Sequence, residues 1–393
     1  MRPLVVRPVH EPGRAATSLE AFFDLVFVVG AGSASDAFHE ELVDAVPSSI
    51  AKFLAVSFAV WWTWVNFTGF ASTFDNDDWL FRFLALTQMA GMLITNAGIE
   101  SAFNNDYRIL VLGYVIMRAA MISQWLRACF GKGQAACAAR VYALGIALVQ
   151  VGWILWAYVP KNEPPYIIPV IIVAELSVPI FAEWLGQTAW HPHHVAERFG
   201  LYTIIQLGEC ISGAENAIKA AVDDRPLRTR LIGVFMCAFV INAALWWIYF
   251  YSAHHERITS YRNAFIYAYM HYFIFTAAGA FSAGVDASID SLQGKSALSP
   301  WLTSFTVTVP VAVFILGTLS TVTFHQSDWY VRATIIVASC IIQLDACINL
   351  YTNMPMILTT VVVTIVVCIL VWRQDPRPPS ARADSVQFSV VSN

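Results

Sequence analysis

The stretch from 191 to 209, HPHHVAERFGLYTIIQLGE, sets His191, His193 and His194 around a proline, then enters an apolar run that still carries Glu197, Arg198 and Glu209. Carboxylates and a guanidinium in such surroundings can pair with each other, hold a proton, or bind an ion or polar solute. A helix turns about 100° per residue, which brings Arg198 and Glu209 within about 20° of each other. Tyr202, Gln206, Ser212 and Asn216 fall near the same line, a polar stripe down an otherwise apolar helix. Glu20 and Asp24, one helical turn apart, stack in the same way in SLEAFFDLVFVVGAG (18–32). Further polar sets are Glu175 with Glu183 across Pro179, Asn263 with Tyr267 and His271, and Asp345 with Asn349.

Two chemistries compete for these groups. Glu209 and Glu175 lie deep in their segments, where a carboxylate is suited to taking up and releasing a proton. Arg198 and Arg82 are placed to hold an anionic group or to neutralise the acids, and Tyr202 and Gln206 to offer hydrogen bonds. The alternative is a metal site. His194 and Glu197 share a face, with Glu20 and Asp24 available from another helix, and a set of Glu and His on facing helices is how helical bundles hold metals. Glu20, Asp24 and Glu197 also have an ordinary reading. They stand in the first turns of their helices, where the positive helix end favours acids.

The elements that must carry these groups are membrane helices. Of 393 residues, 58% are hydrophobic and 13% charged, about half the charged share of a typical soluble domain. Twelve apolar segments recur: 18–37, 48–71, 79–99, 107–127, 138–159, 166–187, 195–218, 229–252, 261–285, 299–320, 330–350 and 354–372. Each is about long enough to cross a hydrocarbon core. The first is not read as a signal peptide, because it contains Asp24 and no small-residue cleavage site. The expectation is an all-α integral membrane protein. An N-terminal segment (1–17) leads into a first six-helix half (18–190) and a second (191–372), followed by a disordered tail (373–393). Lys and Arg concentrate at both termini and in the even-numbered loops, which predicts cytoplasmic termini in the cell (inner) membrane, against the dissent of Lys219, Arg225, Arg228 and Arg230 in one loop.

The halves are inferred from a repeat in fixed order. Glu20-Ala-Phe22 matches Glu197-Arg-Phe199, Trp61-Trp62-Thr-Trp64 matches Trp246-Trp247-Ile-Tyr249, and Arg82 matches Arg262. Six helices per half would give both halves the same orientation, with a substrate path between them. Other features have plainer readings. Trp61, Trp62, Trp64, Trp79, Trp246, Trp247, Trp301 and Trp329 form an interfacial belt. The seven cysteines are scattered without a CxxC and serve as small apolar residues. Asn66-Phe67-Thr68 lies inside a predicted helix and is set aside as a glycosylation site, and Asp75 to Asp78 lacks calcium-loop spacing. There is no phosphate loop, dinucleotide fingerprint or HExxH, so the chain alone is not an ATP-driven pump, and no cofactor or nucleic-acid partner is expected.

SLEAFFDLVFVVGAG (18–32), WWTWVNFTGFASTFDNDD (61–78) and HPHHVAERFGLYTIIQLGE (191–209) together resemble the bacterial low temperature requirement A (LtrA) family. The resemblance implies a multi-pass inner-membrane protein and singles out Glu20, Asp24, Asp75, Arg82, Glu197, Arg198 and Glu209; it names no activity. The leading expectation is a proton-coupled secondary transporter of a small solute, in contact with membrane lipids, using Glu20, Asp24, Arg82, Glu175, Glu197, Arg198, Tyr202, Gln206, Glu209 and His271. An intramembrane enzyme, metal-dependent or not, acting on a lipid or hydrophobic substrate is the second expectation, and a channel or structural component the third.

Overall fold

The computed structural model describes residues 4–8, 11, 13–42, 46–74, 76–158, 167–223, 226–323, 329–348 and 355–373. Every regular element among them is helical: α1 (Ser18–Leu42), α2 (Val46–Phe74), α3 (Trp79–Ala97), α4 (Ile99–Phe103), α5 (Arg108–Ala128), α6 (Gln134–Ala157), α7 (Ile167–Leu185), α8 (Pro192–Asp223), α9 (Arg228–Tyr249), α10 (Tyr261–Leu292), α11 (Pro300–Thr318), α12 (Trp329–Ile348) and α13 (Pro355–Arg373). A 3₁₀ turn, His254–Arg257, precedes α10, and a π turn, Leu319–Thr323, extends α11. The twelve apolar segments each fall on one of the long helices, and α4 is an addition. Among the described residues nine helices are long and apolar enough to cross a membrane: α1, α2, α5, α6, α7, α9, α10, α11 and α13. The acids and bases of α8 keep it off that set, and the apolar part of α12, Trp329–Leu344, is shorter. The expected tail beyond Arg373, Asp75 and Asn349 lie outside the described residues, as does the side chain of Asp345.

Local signals set the helix starts. Asp78 caps α3 by accepting from the Phe81 amide at 2.9 Å, and Ser260 caps α10 by accepting from the Asn263 amide. Thr17 and Glu20 cap α1 reciprocally, the Thr17 amide donating to Glu20 Oε2 at 2.8 Å and the Glu20 amide to Thr17 Oγ1 at 3.3 Å. Small residues then let helices approach. A Cβ placed on Gly113 of α5 would meet Gly91 O of α3 at 2.5 Å, and one on Gly284 of α10 would meet Thr306 O of α11 at 2.2 Å.

Helix neighbours follow chain order twice. In the first part α1 packs on α2 and α3, α3 on α5, α5 on α6 and α6 on α7; in the second α8 packs on α9 and α10, α10 on α11, α11 on α12 and α12 on α13. Across the middle, α1 meets α8 and α10, and α2 meets the same two helices. Of these, α1, α8 and α10 run in one direction. Contacting partners on α1 and α8 are 174 residues apart at both Glu20–His194 and Asp24–Arg198. On α8 and α10 they are 69 apart at Gln206–Phe275, 68 at Cys210–Ala278 and 70 at Asn216–Asp286. A nearly constant separation along both helices is the mark of a parallel pair, here built by helices far apart in sequence. The segment before α1 folds over the shared starting end: Arg14 Nη2 donates to Ala71 O at 2.8 Å, and the Ala16 amide to Glu197 Oε2 at 3.0 Å.

Candidate functional site

The capping box that starts α1 leaves one face of Glu20 turned toward α8. There His194 Nε2 lies 3.0 Å and Arg198 Nη1 3.5 Å from Glu20 Oε1. One turn on, Arg198 Nη2 pairs with Asp24 Oδ1, which also accepts from Trp64 Nε1 of α2 at 2.6 Å. The side chains of Glu20, Asp24, His194 and Arg198 are all 0% exposed. The Trp64 and Phe67 rings flank the guanidinium, each 5.5 Å from its carbon. Two carboxylates therefore share one guanidinium, and the balance is not met by hydrogen bonds: Asp24 Oδ2, Arg198 Nε and His194 Nδ1 have no partner. A buried charge in excess is unfavourable unless a proton or a counter-ion meets it.

A second buried acid is differently placed. Glu175 of α7 accepts from Trp62 Nε1 at 2.7 Å, Tyr114 Oη at 3.0 Å and Trp153 Nε1 at 3.1 Å, and pairs with Arg118 of α5. Four donors around one fully buried carboxylate make it a tie between α2, α5, α6 and α7. Glu175, expected to take up and release a proton, is instead paired with Arg118, which the sequence reading does not place beside it. Glu183 is likewise held, accepting from Tyr142 Oη at 3.0 Å and Thr188 Oγ1 at 2.6 Å.

Along α8 from the cluster, Tyr202 lies within electrostatic reach of both Asp24 and Glu209. Tyr202 and Gln206 line a small cavity between α1, α2, α8 and α10, together with Trp61, Ser57, Phe275 and Gly279. Glu209 is half-buried, its carboxylate set against Gly32 of α1, where an added Cβ would meet Oε2 at 3.0 Å. Ser212 and Asn216, further along the stripe, are exposed.

Several expected members stand elsewhere. Arg82 is not in the interior: its side chain is 57% exposed and pairs with Asp77 at 2.6 Å, because that acid sits in the turn just before α3 and captures it. The hydrogen bond from Arg82 holds the Asp77 carboxyl below its usual range. Glu197 is exposed and caps the Ala16 amide rather than joining Glu20. Trp61, Trp62 and Trp64 are buried, not an interfacial belt, since the Trp62 and Trp64 indoles serve buried carboxylates; Trp79, Trp246, Trp247, Trp301 and Trp329 are exposed.

His271 belongs to a separate network at the start of α10. Its Nδ1 donates to Tyr267 O at 2.6 Å, so its Nε2 accepts from Tyr249 Oη at 2.8 Å. His254, in the 3₁₀ turn, donates from Nε2 to Tyr249 O and accepts at Nδ1 from Tyr267 Oη, both at 2.9 Å. Burial pushes the His254 imidazole down to about 4. Sequence reasoning missed His254, Tyr249 and Arg118, whose partners depend on how distant helices align. Among the described residues no trio of His, Cys, Asp or Glu is arranged to hold a metal ion, and His194 meets Glu20 alone of the acids proposed with it.

Residues 15–369 match the family described as Bacterial low temperature requirement A protein (LtrA). Over 245 residues the chain is 24% identical to the uncharacterized protein RA0937 of Rhizobium meliloti (strain 1021), an alignment covering 59% of this chain and 57% of that relative. The chain thus spans little more than half of the curated relative it matches. No solved structure matches it.

Proposed function

The chain belongs to the bacterial low temperature requirement A (LtrA) family of multi-pass membrane proteins, and from that premise we propose that it is a proton-coupled secondary transporter of a small solute. The observation that carries the reading is the buried set of two carboxylates on one guanidinium, in which Asp24 Oδ2 has no partner. With the His194 imidazole 3.0 Å from Glu20 in the same cluster, one proton among these groups completes the charge balance, and a proton is the smallest ion that can arrive and leave. Protonating Asp24 loosens its pairing with Arg198, and that pair spans α1 and α8.

The repeat motif and the twice-repeated order of helix neighbours support two six-helix halves, α1–α7 and α8–α13, of twelve crossings in all. In this reading α1 and α8 are symmetry partners at the interface where parallel-repeat transporters place their sites. The Lys and Arg distribution supports cytoplasmic termini in the inner membrane, which sets the Glu20 end of α1 toward the cytoplasm.

Proton flux into proteoliposomes under an imposed pH gradient tests the proposal. Asp24→Asn keeps the Trp64 and Arg198 contacts sterically possible and is expected to abolish protein-dependent flux while the protein stays monodisperse in detergent. Unchanged flux in that variant removes Asp24 from the coupling; loss of folded protein alone points to a structural ion pair.

A further inference from the structure

The C-terminal parts of α1, α8 and α10 carry a second group of acids that the charge cluster does not use. Asp36 is exposed, and Glu209, Asp286 and Asp290 are half-buried. They stand close enough to repel: Asp36 acts on Glu209, and Asp36 and Asp290 act on Asp286. Compensation is slight, with His39 Nε2 lying 3.1 Å from Asp290 Oδ2 and Asn216 Nδ2 donating to Asp286 Oδ1 at 3.2 Å. One helical turn from Glu209 lies the cavity lined by Gln206, Tyr202 and Trp61.

That cavity is a built site as well as a neighbour of acids. Its volume is about 20 Å³, enough for one small group. Gln206 and Trp61 are each 3% exposed, and Gln206 Oε1 and Trp61 Nε1 have no hydrogen-bond partner. An unpaired buried amide oxygen calls for a donor, and the cavity is lined by Trp61, Tyr202 and Phe275, rings of the kind that attract cations. The Trp61 N–H is left for an acceptor on the same ligand or for water that enters with it.

We propose that this pocket takes the head of a small ammonium ion, drawn in by Asp36, Glu209, Asp286 and Asp290 and held by the Gln206 amide oxygen among the Trp61 and Tyr202 rings. The assignment rests on the transporter reading only in making this ion the solute; the binding site stands on its own contacts. Electrostatic gathering by such a group of acids acts on cations and repels anions, and added salt weakens it.

The test is thermal unfolding of the purified full-length protein in detergent, titrated with methylammonium chloride against sodium chloride at matched ionic strength. Methylammonium is expected to raise the melting temperature in a saturable way. Gln206→Leu should weaken its apparent affinity about tenfold, the loss of one hydrogen bond to a charged group. Glu209→Gln, at a half-exposed position that keeps its shape, should weaken it as well if Gln206→Leu fails to fold. An equal shift from sodium, a larger one from sodium acetate, or no shift overturns the ammonium assignment. No shift alongside intact Asp24-dependent proton flux overturns this inference and leaves the coupling; a shift without flux keeps the site and removes transport.

Discussion

Arg198 answers to two carboxylates in a space closed to solvent, so its removal should be felt more than that of either acid. Arg198→Leu leaves Glu20 and Asp24 facing each other, and we expect about 3–5 kcal/mol of lost stability, read by unfolding in detergent. Arg198→Lys should recover only part of it, because an ammonium cannot fork to two acids. His254 gives a pH signature of its own. Its folded value of about 4 lies below the ordinary 6.5, so between them the unfolded chain binds more protons and stability rises with pH. The melting temperature should therefore fall as pH drops from about 6.5 toward 4, and His254→Asn should flatten that slope. At this scale the sequence was legible where spacing within one helix decides: Glu20 with Asp24, and Arg198 with Tyr202. It was illegible for Glu175, whose partner Arg118 comes from another helix. It misled for Arg82, because an acid in the adjoining turn competes more closely than any helix across the bundle.

Helix position was plain from apolar length: each segment overlaps a helix among the described residues, nine of them long and apolar enough to cross a membrane, because a run of that kind satisfies its own backbone in a low-dielectric setting. Helix partnership was not, since it depends on single small residues whose meaning appears only beside a neighbour. Gly284 shows this. A side chain there meets the Thr306 carbonyl on α11, whereas Gly208 on α8 has open space around it. Gly284→Val should separate α10 from α11 and reduce monodisperse protein on gel filtration, while Gly208→Ala should be neutral or slightly stabilising. Similar yields for both would show that the α10–α11 approach is not needed for assembly. The polar stripe of α8 was half readable in the same sense: its start is buried against α1, and its end at Ser212 and Asn216 is exposed.

For the molecule as a whole, the proposed orientation sets alternate connections on opposite sides of the membrane. Lys132, exposed between α5 and α6, should be cytoplasmic, and Lys295, exposed between α10 and α11, periplasmic. In a cysteine-free background, Lys295→Cys should react with an impermeant maleimide in intact cells and Lys132→Cys only after lysis; the reverse pattern would invert the topology. The common direction of α1, α8 and α10 has one more consequence. Each helix ends in partial charges of about half an elementary unit, positive at its start and negative at its finish. Over the whole bundle the antiparallel neighbours, α2 beside α1 and α9 beside α8, offset these charges, but the aligned ends of α1, α8 and α10 add locally. Glu20 and Asp24 rest at the positive pole, while Asp36 and Asp290 deepen the negative one. These grouped ends favour positive ions beside Asp36 and Asp290 and acids beside Glu20 and Asp24, so in the proposed transporter a cation passing from the first end to the second would need that local bias offset by something that moves.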